Sequence, residues 1–299
     1  MQPDQEKCNL CSSGEFSLIK DSLRDDKERF KVYQCSQCGH IQLLPKPTEE
    51  DDKAFYDKNL QDKNRNKQID LEKLQQNQRY DTDRHVELIR SLAAKDKSIL
   101  DIGAGYGFFV SALIKSGFKK AKGLEISSER RELALGQAPG AILGHDVKEG
   151  PEVIGRYDVV TLFHVLEHVA DPIAFLKDIK ALLKPGGIFI CEVPNVRDLL
   201  LDNSKEYHDF YWIRAHLNYF DDKGLSFCLK QAGFAIESVR SVQRYGLLNL
   251  SNWLMYGKPQ IEKPVFSIDP DYEEAEAMYR KHVESKGRGD ALVAIAKNK

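Results

Sequence analysis

No apolar run in this chain approaches the roughly 18–20 residues that a membrane-spanning helix needs, which excludes a helical membrane anchor. The opening MQPDQEKCNL lacks the apolar core of a secretion signal. An excess of one charge is missing too: 44 Lys+Arg face 46 Asp+Glu, a net charge of −2. That excludes a polybasic nucleic-acid binder by bulk charge and leaves only a local basic groove. Neither an internal repeat nor a low-complexity segment is visible. The expectation is a soluble, cytoplasmic protein with no membrane partner and no nucleic-acid partner. Its 299 residues suffice for one large domain or two ordinary ones, with a core that needs no disulfides.

What is present starts with cysteine. Cys8, Cys11, Cys35 and Cys38 form two C-x2-C knuckles separated by 23 residues. Disulfides are rare in a reducing compartment, and four thiolates suit one tetrahedral Zn2+. A pair of redox dithiols and a catalytic metal are the alternatives, the latter opposed by a full ligand set that leaves no open position. Residues 1–48 are too few to fold by apolar burial alone, so a metal staple makes physical sense. Cys191 and Cys228 read as buried packing residues.

Residues 49–97 read as a helical linker or lid, with Ile69, Leu71, Leu74, Val86 and Ile89 on apolar faces. From residue 98 short apolar runs alternate with helical stretches. Strands are expected at 98–103, 121–126, 140–146, 157–163, 187–193, 234–242 and 291–297. Lys184-Pro185-Gly186-Gly187 reads as the turn before the fifth. This alternation implies a parallel sheet covered by helices on both faces. Two insertions interrupt it, at 194–220 and 243–289.

Asp101-Ile102-Gly103-Ala104-Gly105-Tyr106-Gly107 follows the first of these strands and opens a helix. Glycines there let backbone approach a ligand closely. A dinucleotide fingerprint would need glycine at 108, where this chain has Phe108. Asp101, Glu125 and Asp146 close three successive strands at the edge where open α/β sheets bind ligands. An acid inside the glycine loop disfavours a pyrophosphate and suits a cationic cofactor.

Here the chain resembles the class I S-adenosylmethionine (SAM) methyltransferases. The resemblance covers residues 98–242, through DIGAGYG, GLEIS, GHDV, DVVTLFHVLEHVADP and LLKPGG. It implies an α/β, Rossmann-like, seven-stranded domain. It also implies that Asp101, Gly103, Ala104 and Gly105 line the methionine end of SAM. Glu125 would hold the ribose, Ile126 would pack on the adenine, and Asp146 with Val147 would flank it. Phe163 and His164 would border the sulfonium. Tyr80 and Arg84 lie on a helix that would close over SAM, with Arg84 facing its carboxylate, although a solvated helix face accounts for them more simply.

His164-Val165-Leu166-Glu167-His168 spells the H-x-x-E-H of a zinc peptidase. That chemistry needs a helix carrying both His on one face, whereas this segment reads as a strand-to-helix loop. His168 reads as a structural loop residue.

The acceptor side falls in the first insertion, where Tyr207, His208, Tyr211, Trp212, His216, Asn218 and Tyr219 crowd together. The tyrosines and Trp212 either pack or line the site. His216 is the candidate general base, with His208 behind it. Arg244, Tyr245, Trp253 and Lys258 are weaker candidates for holding a phosphate or sugar.

CNLC, CSQCGHIQLLPKP and AHLNYF also resemble a narrower group, the zinc-module-bearing methyltransferases of bacterial sugar biosynthesis. Its carbon-methylating members carry a Glu-His pair where this chain has Ala215-His216, and a large domain follows their SAM domain. The resemblance with these departures implies O-methylation of a sugar or nucleotide-linked sugar. Carbon methylation, an RNA, protein or phenolic acceptor, and a non-catalytic SAM-binding scaffold are the alternatives.

Overall fold

The structure, a computed structural model, describes residues 6–48, 50–51, 69–259 and 270–299. Along the chain come β1 (Phe16–Lys20), β2 (Lys31–Cys35), β3 (Ile41–Leu44), α1 (Leu71–Leu92), β4 (Ile99–Ile102), α2 (Phe108–Lys115), β5 (Ala121–Leu124), α3 (Ser128–Gln137), β6 (Ile142–Leu143), α4 (Pro151–Ile154), β7 (Tyr157–Phe163), α5 (Pro172–Ala181), β8 (Leu183–Pro194), α6 (Leu199–Asn203), α7 (Lys205–Tyr211), β9 (Asn218–Tyr219), α8 (Asp222–Gln231), β10 (Ala235–Val242), α9 (Leu247–Tyr256), α10 (Pro270–Ser285) and β11 (Ala291–Lys297). Local chemistry starts four of the helices. Asp70, Ser127, Asp171 and Asp221 each accept the backbone N–H three residues on, the ordinary N-cap bond.

All seven expected strands form one sheet, ordered β10-β11-β8-β7-β4-β5-β6. β8, β7, β4, β5 and β6 run parallel, while β11 runs antiparallel to both of its neighbours. The reversal of β11 has no signature in ALVAIAK, which is apolar read in either direction. β4 is buried along its whole length because helices cover both faces, and its sequence ILDI is accordingly apolar apart from one acid. Two apolar layers sandwich the sheet: Leu162, Leu176, Phe189 and Leu229 on one side, Ile89, Val110, Leu113 and Phe118 on the other.

Two expectations change in detail. The strand expected over 140–146 shrinks to Ile142–Leu143. The expected turn at Lys184–Gly187 lies inside β8, as an irregularity in its pairing with β7. Gly187 has no room for a side chain: a Cβ would meet the Lys184 carbonyl oxygen at 2.9 Å.

A second, antiparallel sheet has the order β1-β2-β3-β9. Its fourth strand comes from the insertion at 194–220, with Gln42 opposite Asn218 and Ile41 opposite Tyr219. The N-terminal segment and the insertion are therefore one structural layer. Leu23, Phe30, Val32, Leu43, Trp212, Leu217 and Tyr219 form its core. Asn218 fastens it, accepting from Asn9 at 2.9 Å and lying 3.0 Å from His40 Nε2.

The C-terminal half of α1 buries Val86, Leu88 and Ile89 beside Phe109, Val110 and Leu113 of α2. Ile69 is exposed, and Leu71 and Leu74 are only half-buried. Residues 52–68 of the expected linker and 260–269 of the second insertion lie outside the described residues. Among the described residues no helix is long and apolar enough to cross a membrane.

Candidate functional site

The glycine loop sits where β4 meets α2. Gly103, Gly105 and Gly107 take φ of +78°, +55° and +76°, a left-handed backbone that costs other residues dearly. Gly123 on β5 makes room for the loop, since a Cβ there would lie 2.6 Å from the Ala104 Cβ. The Gly103 and Ala104 N–H groups both donate to the Leu124 carbonyl at 2.9 Å.

Two carboxylates flank this loop, each only 5% exposed. Asp101 accepts from the Thr161 hydroxyl at 2.7 Å. Burial pushes its carboxyl up to about 7, despite the Thr161 hydrogen bond, and repulsion from Glu125 adds to the rise. Glu125 accepts from the Gly105 and Ser127 N–H groups at 2.8 and 2.9 Å, which fixes its orientation at the end of β5. Such a pair suits a ligand that brings positive charge and hydroxyl donors, and it repels phosphate.

Beyond Glu125, Ile126 is 73% exposed, a large apolar side chain left on the surface at the strand-end edge. Asp146 is exposed and caps a short 3-10 turn, accepting from Lys148 N at 2.9 Å, with Val147 buried beside it. Phe163 is stacked on His85, with ring centroids 3.7 Å apart.

Arg84, read as facing either a cofactor carboxylate or solvent, grips Glu192 with its guanidinium through two bonds of 2.9 and 2.8 Å, and also bonds Asp81. Glu192 is fully buried in β8, and this pairing, with His85 at 2.9 Å and His164 at 3.2 Å, holds it well below the usual carboxylate range against the cost of burial. Tyr80 is partly exposed on α1, with Arg280 over its ring. Sequence reasoning missed Glu192 and His85. The available signal was one carboxylate inside the apolar run GIFICEV, because a buried acid must find positive partners or lose its charge.

Side chains of the second insertion are likewise engaged within the protein. Arg244 is engaged by Asp290 at 2.6 Å and approaches His164 at 2.7 Å, and Trp253 is buried against Tyr207 and Phe210. Neither is a free cradle for phosphate or sugar, while Tyr245 and Lys258 are exposed.

The loop after β7 carries His164 at φ +56° and then a 3-10 turn at Leu166–His168. It therefore lacks the helix of the peptidase pattern. Burial and Arg244 work against a charged His164, but Glu167 and Glu192 outweigh them and hold it up at about 9. The loop is stitched to the first insertion: Leu217 N donates to the Glu167 carbonyl at 2.8 Å, and the Asn218 amide to the Val169 carbonyl at 2.7 Å. His168 and His216 consequently face each other, ring centroids 5.1 Å apart. Burial pushes His216 down to about 4, so its imidazole is neutral at pH 7. His208 sits on α7, edge-on to Trp212. Tyr211, Trp212 and Tyr219 pack against one another, with Trp212 and Tyr219 in the core of the second layer and Tyr211 half-buried against it.

The four N-terminal cysteines do come together. Cys8 and Cys38 sulfurs lie 3.6 Å apart, and those of Cys11 and Cys35 3.5 Å apart. The edge of a tetrahedron with Zn–S arms of about 2.3 Å is about 3.8 Å, so the donor set fits Zn2+.

Comparison with known proteins follows this geometry. A sequence model described as a methyltransferase domain matches residues 74–239. Similar curated proteins include the ubiquinone biosynthesis O-methyltransferases of Vibrio parahaemolyticus, 35% identical over 97 residues, and of Sodalis glossinidius, 36% identical over 106. Those matches cover 30% and 33% of this chain and 41% and 42% of the relatives, so they span less than half the length of either relative. Among solved structures, a chain from the complex of the Haloferax volcanii Trm112 methyltransferase activator with its methyltransferase aligns at TM-score 0.51 and 20% identity. The alignment covers 76% of this chain and 92% of that one. A SAM-dependent methyltransferase from Archaeoglobus fulgidus aligns at TM-score 0.49 and 19% identity, over 77% and 100%.

Proposed function

This chain belongs to the methyltransferase-domain family, and on that premise we propose that it transfers a methyl group from SAM to a hydroxyl oxygen of a small acceptor, a sugar or nucleotide-linked sugar. Bound SAM supplies an activated methyl on a sulfonium; the protein supplies orientation and removal of the acceptor's proton. In this reading Gly103, Ala104 and Gly105 lie under the methionine end and Asp101 meets its α-amino group. Glu125 accepts the ribose hydroxyls. Ile126, Asp146 and Val147 flank the adenine, and Phe163 and His164 border the methyl. His216 takes the acceptor's proton, and the four-cysteine cluster holds structural Zn2+ that braces the layer carrying His216.

The observation that carries the reading is the Asp101–Glu125 pair, two acids buried at adjacent strand ends over a left-handed glycine loop. Calorimetry tests it directly. Asp101→Ala and Glu125→Ala should each abolish measurable SAM binding, and wild-type affinity in both would overturn it.

Oxygen is favoured over carbon because a single neutral His, next to Ala215 rather than Glu, is enough to take a hydroxyl proton. A second reading, a phenolic acceptor, draws on the names of the relatives, which act in ubiquinone biosynthesis. Methyl-labelled SAM incubated with nucleotide sugars, free sugars, phenols and RNA separates the readings. Acid-stable label on a sugar oxygen supports the first. Label on a sugar carbon, on a phenol or on RNA replaces the acceptor, and bound SAM with no transfer to any of them favours a scaffold.

A further inference from the structure

We propose that Glu167, His168 and His216 form a binding site for one divalent cation of the Mn2+, Fe2+ or Zn2+ kind, separate from the four-cysteine cluster and placed on the acceptor side. One donor atom from each of the three residues lies within 4.8 Å of the other two. Ligands sharing an ion with arms of about 2.1 Å sit about 3–4 Å apart, so a small side-chain rotation closes the set.

Three further observations point to a ligand. First, Glu167 Oε2 and His216 Nδ1 are both buried without a hydrogen-bond partner. Glu167 is only 1% exposed, and a buried lone pair left unpaired costs about 1–3 kcal/mol. A cation satisfies both atoms at once. Second, His168 Nδ1 donates to the Ala215 carbonyl at 2.7 Å. That bond fixes the tautomer and leaves the Nε2 lone pair free, 3.9 Å from Glu167 Oε1. A backbone carbonyl behind a ligating His is the usual outer partner of a metal site. Third, the Leu217 N–H donating to the Glu167 carbonyl and the Asn218 side-chain amide donating to the Val169 carbonyl hold the two contributing segments in fixed relation, as a preorganised site requires.

His164 Nδ1 stands 3.4 Å from Glu167 Oε1, the oxygen that His168 Nε2 also approaches, while Oε2 has no hydrogen-bond partner, so the carboxylate keeps acceptor capacity for an ion. The second imidazole of the site is thus His216, far along the chain, and not the His164 of the H-x-x-E-H spelling.

Position gives the ion its chemistry. The Val165 side chain lies 2.5 Å from where a Gly103 Cβ would stand, so the loop bearing Glu167 abuts the glycine loop. Three protein donors leave coordination positions open. These suit an acceptor with two adjacent oxygens, a vicinal diol or a catechol. The cation lowers the pKa of a bound hydroxyl, so the O–H proton goes to solvent. The resulting oxyanion forms the O–CH3 bond as the S–CH3 bond breaks, and the sulfonium becomes a neutral thioether. This deepens the proposed function and rests on it for what the ion does, but not for whether the ion binds. His216 then serves by holding the ion instead of the proton.

The test uses the full chain and Mn2+ alone, without SAM. Mn2+ prefers oxygen and nitrogen donors and leaves the thiolate cluster alone. Electron paramagnetic resonance of free Mn2+ should report one ion bound per wild-type chain. Glu167→Gln and His168→Asn should weaken binding at least about tenfold, while exposed His282→Ala should not change it. Asn keeps a donor to the Ala215 carbonyl and removes only the Nε2 lone pair, and a thermal melt confirms that the variant folds. No binding by the wild type, or equal binding by both variants, overturns the site. With the ion site wrong and the methyl-transfer reading right, SAM affinity and His216-dependent turnover persist without Mn2+ uptake. With the methyl-transfer reading wrong and the ion site right, Mn2+ binds and SAM does not.

Discussion

The strand-end edge proposed to hold the cofactor and the side proposed to hold the acceptor are built over different distances along the chain. On the cofactor side, Gly105 reaches Glu125, 20 residues on, and Ser127 reaches the same carboxylate from 2 residues away. On the acceptor side the defining bonds span 209 residues from Asn9 to Asn218, 178 from His40 to Asn218 and 108 from Arg84 to Glu192. One edge is a local motif on a sheet. The other is an assembly of the N-terminal layer, α1, the loop after β7 and the first insertion. The cofactor edge should therefore tolerate damage elsewhere, while the acceptor edge should fail whenever any contributing segment shifts.

The largest effect is expected at the point where the assembled side is most buried. Glu192→Ala removes the partner shared by Arg84, His85 and His164. Leaving buried charge uncompensated costs about 3–5 kcal/mol, to be read as a fall in the urea midpoint. Glu192→Gln keeps the shape and some hydrogen bonds and should lose less. Equal stability of wild type and Glu192→Ala would show that the long-range network is decorative.

That contrast also explains what the sequence revealed. The seven strands, the glycine loop and the positions of Asp101 and Glu125 are each marked by a short local motif, even though the strands pair across longer stretches of chain. The convergence of the four cysteines was legible because two C-x2-C knuckles announce a cluster by their spacing. The Arg84–Glu192 pairing was not legible, because a lone Arg on a helix carries no sign of its partner 108 residues away. The pairing of β9 with β3 was invisible for a similar reason, since Asn218-Tyr219 is too short to show a strand pattern. Trp212 and Tyr219 proved to be core because that unseen layer covers them.

Asp101→Asn probes the local side. The folded-state pKa of Asp101 is raised from 3.8 to about 7, chiefly by burial. A raised carboxyl favours the native state fully below its unfolded value, and that contribution is lost as pH climbs through the folded value. Without ligand, Asp101→Asn should therefore melt higher than wild type at pH 8, and the gap should close toward pH 4. SAM affinity should move the other way, with the variant losing about 2 kcal/mol, roughly thirtyfold, for one charged hydrogen bond. In the wild type that affinity should weaken as pH falls below about 7, as the carboxylate takes up its proton. Titration calorimetry at several pH values reads both trends, and a flat profile would detach Asp101 from the ligand.

A cut at the far end of the assembly sharpens the comparison further. If the thiolate cluster holds the proposed zinc, Cys11→Ser combined with Cys38→Ser should abolish metal binding and loosen the β1-β2-β3-β9 layer, since metal affinity is folding energy in so small a module. β9 follows His216 directly, so turnover should drop at least about tenfold while SAM affinity stays within about threefold, the signature of lost geometry on one edge only. A parallel fall in both would mean that the two edges are not separable.

The smallest expected effect lies at Ile126. At 73% exposure its side chain contributes little to the folded core, so Ile126→Ala should leave the unfolding free energy within about 0.5 kcal/mol of wild type. Its exposure at the strand-end edge makes sense if a flat apolar ring covers it when ligand binds. Burying one or two methylene equivalents is worth about 0.8 kcal/mol each, so SAM affinity should fall about four- to fifteenfold. Adenosine should suffer the same loss, and methionine none, because the contact is to the base. A variant that binds SAM as the wild type does would move the adenine off Ile126, leaving the glycine loop and the two acids as the whole of the local half.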